Sequence, residues 1–276
     1  MLFTKKSLKK SLTATLAGVL ATVSLGVAAP QAVAQERNLV AFGDSVLADP
    51  RADVYLGAKM SSTSPLGTNC PQSFNFAKRA GAKLGLPVRD FSCSGAVSMA
   101  PGPQMSTQVD EAIRTGALTG ATSRVIYATG FNDTYNNRSL SMQDIRNRWV
   151  AYNAPIVNRI RAAAPNARIQ IVGYPTIGSG DRYCLFHVNG GVLDATALPE
   201  VRSWEDKAQW MQVDLAAATR TEFLDLKPST RNNGMCAGDN NRMWAGLIDF
   251  SGGPGNLPIH INARGHEHVA NVVAAS

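Results

Sequence analysis

The sequence predicts an α/β protein, a three-layer α/β/α sandwich around a central, mostly parallel, five-stranded sheet. Two observations carry this. Five short apolar runs suited to buried strands recur along the chain, and segments with apolar residues at three- and four-residue spacing lie between them. Such alternation implies parallel strands covered by helices on both faces, because a parallel sheet needs a crossover between successive strands.

The elements follow in chain order. Lys5, Lys6, Lys9 and Lys10 form a basic start, an apolar stretch runs from Leu12 to Ala29, and Ala32-Val33-Ala34 has the small-x-small pattern of a cleavage site. Residues 1–34 are therefore expected to be an export signal, cut before Gln35, leaving 35–276 as a single domain. Ser, Thr and Gly dilute the apolar stretch, which argues against a membrane anchor. The strands are expected at Asn38–Phe42, Val88–Ser92, Arg124–Thr129, Arg168–Tyr174 and Glu222–Leu226. Helices are expected at Phe74–Leu84, Met142–Ala164, Trp204–Thr221 and Ala263–Ala274. Polar, glycine-containing stretches at 44–73, 92–107, 130–141 and 175–202 follow strands. They are expected to gather at the carboxyl edge of the sheet, where α/β folds bind ligands.

Charge excludes one function class. The whole chain of 276 residues carries a formal net charge of +7, but the four lysines of the export segment account for much of it, and the remainder stands near +3. That excess gives little reason to expect nucleic-acid binding. Four cysteines, Cys70, Cys93, Cys184 and Cys236, suit an oxidising compartment. They permit three pairings. Cys70 with Cys93 and Cys184 with Cys236 are favoured, because each pair brackets one contiguous segment. No Cys-x-x-Cys or closely spaced His/Cys cluster suggests zinc, so no metal is expected.

Phe42-Gly43-Asp44-Ser45 ends the first strand in a turn that can present a serine. A serine needs a base beside it and donors for a developing oxyanion. Ser92-Cys93-Ser94-Gly95-Ala96 follows the second strand, Gly130-Phe131-Asn132-Asp133 the third, and His260-Ile261-Asn262 precedes the last helix. In order and placement these four blocks resemble the SGNH, or GDSL-type, hydrolase family over essentially the whole mature chain, closest to secreted bacterial lipases and esterases. The resemblance implies the family's flavodoxin-like sandwich. It also implies Ser45 as nucleophile, His260 as general base, and an oxyanion hole made by the backbone N–H groups of Ser45 and Gly95 with the side-chain amide of Asn132. Glycine at 95 is expected so that the backbone donor can approach the substrate oxygen closely.

Many relatives carry Asp three residues before this histidine, where the present chain has Leu257. The resemblance to a secreted subgroup implies a Ser/His dyad, with His260 oriented by the backbone carbonyl of Leu257 or Pro258. Asp249 is the rival orienter. Asp44 is expected to be structural in its turn and Asp133 to brace the oxyanion loop, while Asp49 and Asp53 read as solvated loop residues rather than a cation site. His187 is expected on the surface, and His266 and His268 in packing or solvated roles. Cys93, two residues before Gly95, is bridged upstream in similar lipases, which makes Cys70 its partner.

The implied activity is a secreted serine esterase or lipase cleaving carboxylic esters through an acyl-enzyme, with no cofactor. An envelope acyltransferase or carbohydrate O-deacetylase using the same site, and a non-enzymatic envelope-binding module with a relic site, are the alternatives. The expected partners are a small-molecule or lipid ester and, transiently, lipid or the cell envelope, with the protein a monomer. Ile177, Leu185, Phe186, Val188, Val192 and Leu193 are candidates for an acyl wall. Trp204, Trp210 and Trp244 suit either packing or stacking on a sugar.

Overall fold

The structure, a computed structural model, describes residues 1–2, 36–61, 70–188, 194–251 and 257–276. The expected export signal lies outside the described residues apart from its first two, as do Val192 and Leu193. Gln35–Ser276 forms a compact unit of its own.

Strands β1 (Leu39–Gly43), β2 (Val88–Asp90), β3 (Arg124–Ala128), β4 (Arg168–Val172) and β5 (Glu222–Leu224) form one sheet in the order 2-1-3-4-5. Every neighbouring pair is parallel. All five residues of β1 are buried, because a strand covered on both faces has no solvent side. Leu39 and Ala41 face one apolar core with Ile126 and Ala128, whereas Val40 and Phe42 face the other with Val125 and Tyr127. The two-residue side-chain period of a strand sorts them so.

The first core is covered by two helices from distant parts of the chain, Phe76–Leu84 and Ala263–Ala275, which supply Phe76, Ala77 and Ala80 and Val269, Ala270 and Val273. The second is covered by Met105–Arg114, Met142–Ala163 and Pro199–Thr219. Trp149 is fully buried there, and truncating such a side chain to alanine costs about 3–5 kcal/mol.

Boundaries moved where local chemistry intervenes. The second strand stops at Asp90 rather than Ser92, because the Asp90 carboxylate accepts from both the backbone N–H and the hydroxyl of Ser92 and bends the chain. The Phe76 helix starts two residues late, since Asn75 caps it by accepting from Ala77 and Lys78 N–H. The helix expected from Trp204 begins at Pro199, a residue suited to a first turn. Helices occupy stretches read as loop, wholly or in part, among them Ser45–Ala48, Ala52–Ser61, Met105–Arg114 and Phe131–Asn136. Among the described residues no helix is long and apolar enough to cross a membrane.

Candidate active site

Strand order reverses between β1 and β3, and crevices outside the carboxyl ends of strands at such a point are where these sheets bind ligands. The chain leaving β1 turns at Gly43 straight into the short helix Ser45–Ala48. A Cβ at Gly43 would sit 2.6 Å from the Ala128 carbonyl oxygen, so only glycine fits there. Gln108, buried, holds the Gly43 peptide from both sides, accepting from its N–H and donating to its carbonyl, each at 2.9 Å. Asp44 caps the helix through the Val46 N–H and accepts from the Tyr174 hydroxyl, which in turn accepts from the Phe131 N–H. Burial pushes the Asp44 carboxyl up to about 7 against those donors.

Gly95 has φ +83°, a left-handed conformation that favours glycine. A Cβ built there meets nothing within 4 Å. The space beside Gly95 is open, and the protein's own requirement for glycine there is conformational. The Cys70–Cys93 disulfide, with Cα atoms 4.9 Å apart, lies two residues upstream.

Asn132 opens the short helix after β3. Its Nδ2 donates to the Ala96 carbonyl at 2.9 Å and its Oδ1 accepts from the Tyr135 hydroxyl at 3.1 Å. Asp133 accepts from the N–H groups of Ser98 and Met99 and from Trp149 Nε1, tying the loop after Gly95 to the Asn132 helix and to the core.

His260 stands just before the last helix, which Asn262 caps through the Gly265 N–H. Its Nδ1–H donates to the Pro258 carbonyl at 2.7 Å. Burial draws its pKa below the ordinary 6.5, with the carbonyl pulling the other way. Asp249, the rival orienter, is bound to the fully buried Arg242 and accepts from the N–H groups of Gly246 and Ser251. The guanidinium and those donors hold its carboxyl well below the usual range despite burial.

Ser45, Gly95, Asn132 and His260 line one cavity of about 580 Å³. Its wall is apolar and aromatic, including Phe131, Tyr135, Ile177, Tyr183, Leu185, Val201, Trp204, Met235, Trp244 and Ile259. Of the residues expected in an acyl wall, Ile177 and Leu185 line it, whereas Phe186 and Val188 are exposed. Trp210 is also exposed, under the Arg146 guanidinium. The Cys184–Cys236 disulfide stands directly beside Tyr183, Leu185 and Met235.

Two expectations are overturned. His187 is buried, 3.7 Å from Asp239, and Asp49 is wholly buried against His266 rather than solvated. Asp53 is exposed and paired with Arg51. The Gln108 clamp was missed; a lone polar residue in a helix has no sequence signature of this role. Among the described residues no group of three or more His, Cys, Asp or Glu is placed to hold a metal.

Sheet order and cavity define an α/β sandwich with a candidate active site at the carboxyl edge of its sheet. The chain belongs to the GDSL-like Lipase/Acylhydrolase family, whose pattern it matches over residues 41–268. Phospholipase A1 from Streptomyces albidoflavus NA297 is similar in structure, with a TM-score of 0.56 at 18% identity, covering 86% of this chain and 99% of that one. The extracellular lipase from Streptomyces rimosus is similar to the same extent, with a TM-score of 0.55 at 18% identity and the same shares covered. These likenesses concern the fold. No curated protein matches the chain in sequence.

Proposed function

We propose that the protein is an exported serine esterase that cleaves carboxylic esters through an acyl-enzyme. The observation that carries this reading is that Ser45, Gly95, Asn132 and His260, from four separate parts of the chain, line one cavity.

The roles follow from the atoms. With Nδ1–H committed to the Pro258 carbonyl, a neutral His260 has its lone pair on Nε2. Nε2 takes the proton from Ser45 as Oγ bonds to the ester carbonyl carbon. The carbonyl oxygen becomes an oxyanion, received by the N–H groups of Ser45 and Gly95 and by the Asn132 amide, whose second N–H is not used by Ala96. The C–O bond then breaks, and His260 returns the proton to the departing alcohol. Water repeats the sequence, releasing the acid and freeing Ser45.

An apolar cavity of this size favours an ester with a hydrophobic acyl part over an acetyl group. Two disulfides fit an oxidising destination, and we assign residues 1–34 to export and 35–276 to one monomeric catalytic domain.

Treatment with a serine-directed phosphonate, followed by peptide mass mapping, tests the reading. An adduct on Ser45 is expected. Labelling at another serine, or none on a folded sample, would overturn it.

A further inference from the structure

We propose that Asp49 is a positioning residue for both members of the Ser45/His260 pair, held in place by His266. This rests on the esterase reading above and deepens it.

Asp49 lies four residues after Ser45, and its backbone N–H donates to the Ser45 carbonyl at 2.8 Å. Its carboxylate reaches the other side of the site. There the backbone N–H of Leu257, the residue standing where many relatives have an aspartate, faces it and favours its charged form. Leu257 adjoins Pro258, whose carbonyl orients the His260 imidazole. One residue therefore meets the nucleophile's turn with its main chain and, through His266, the helix that follows His260 with its side chain.

The carboxylate is itself fixed. His266 Nδ1 accepts from the Phe76 N–H at 3.2 Å, which places the ring proton on Nε2, aimed at Asp49 Oδ2 2.7 Å away. Both side chains are essentially inaccessible to water. Burial lowers His266 to about 3, which favours the neutral ring. Burial likewise raises Asp49, to about 9. A fully desolvated pair of this kind suits a geometric role, because buried polar groups that leave their partner lose the bond without regaining water.

The Leu257 loop needs such an anchor. Ile259, between the orienting carbonyl and His260, has φ +55°, a conformation that β-branched residues adopt only under restraint.

The test compares Asp49→Ala, Asp49→Asn and His266→Gln with the parent for kcat and KM on one ester, together with amide exchange at Leu257 and thermal melting. Asp49→Ala is expected to lower kcat about ten- to a hundred-fold, the scale of a small misplacement of a catalytic group, with KM little changed. Asp49→Asn, which keeps an acceptor oxygen, and His266→Gln, which keeps a donor, are expected to recover most of kcat. Exchange at Leu257 should accelerate in Asp49→Ala alone. A folded Asp49→Ala with parental kcat and parental Leu257 exchange overturns the proposal. So does an Asp49→Asn as impaired as Asp49→Ala while still folded. Exchange at Leu257 needs no turnover, so a parent protein that fails to hydrolyse esters would sink the esterase reading and still leave the anchoring role decided.

Discussion

The Nδ1–H of His260 is bound to the carbonyl oxygen of Pro258, two residues upstream, at 2.7 Å. A carbonyl fixes the tautomer as an aspartate would, but carries no full negative charge to stabilise the imidazolium. Burial therefore prevails, and the His260 pKa lies below 6.5. A general base works when neutral, so a depressed pKa extends activity toward acid. The acidic limb of the kcat/KM profile is expected to bend below pH 6.5; an inflection clearly above that value would mean that a carboxylate, not Pro258, governs the ring.

Asp249 is expected to matter for stability and not for turnover. It faces Arg242, whose side chain is wholly buried; breaking such a pair costs about 3–5 kcal/mol at most here, because Asp239 still partners the guanidinium. Asp249→Asn should melt markedly earlier yet keep a kcat near the parent's at temperatures where it remains folded. A folded variant that lost most of its turnover would return the orienter's role to Asp249.

Asn132→Ala removes one side-chain donor from the cavity wall together with its bonds to Ala96 and Tyr135. Losing one oxyanion donor costs about 3 kcal/mol of barrier, roughly two decades of kcat. KM should move little, because the donor acts on charge that develops only after binding. Steady-state kinetics on one activated ester decides it.

The two disulfides are expected to fail differently. Cys70–Cys93 lies beside Gly95, so replacing both cysteines by serine should lower kcat on every ester tested. Cys184–Cys236 adjoins Tyr183, Leu185 and Met235 in the cavity wall, so its double serine variant should change the ranking of acyl chain lengths more than the rate on the shortest. A panel of esters of increasing acyl length separates the two patterns.

The sheet was legible because burial on both faces leaves strands such as Leu39–Phe42 continuously apolar. The helix Ala52–Ser61 was not, since it buries only Ala58 and leaves Val54, Leu56 and Met60 exposed, with no stripe to read. Met105–Arg114 did carry a signal: Met105, Val109 and Ala112 follow helical spacing, but a run of glycine, proline and serine before them masked its start. Of the site, the four cavity residues stood out because each lies in a short block that follows a strand or precedes the last helix. Gln108, Asp49 and His266 did not, because a buried polar residue reveals itself only through partners far away in sequence. His266 meets Phe76 across 190 positions and Asp49 across 217.

That last pairing bears on how the molecule comes into being. The helix Ala263–Ala275 packs on Phe76–Leu84 across one face of the sheet, and His260 stands just before that helix. Contacts so distant along the chain close late and slowly. A growing or partly folded chain would therefore expose a serine with no base. Hydrolytic power would arrive all at once, with the final helix, and its onset would time the last step of folding.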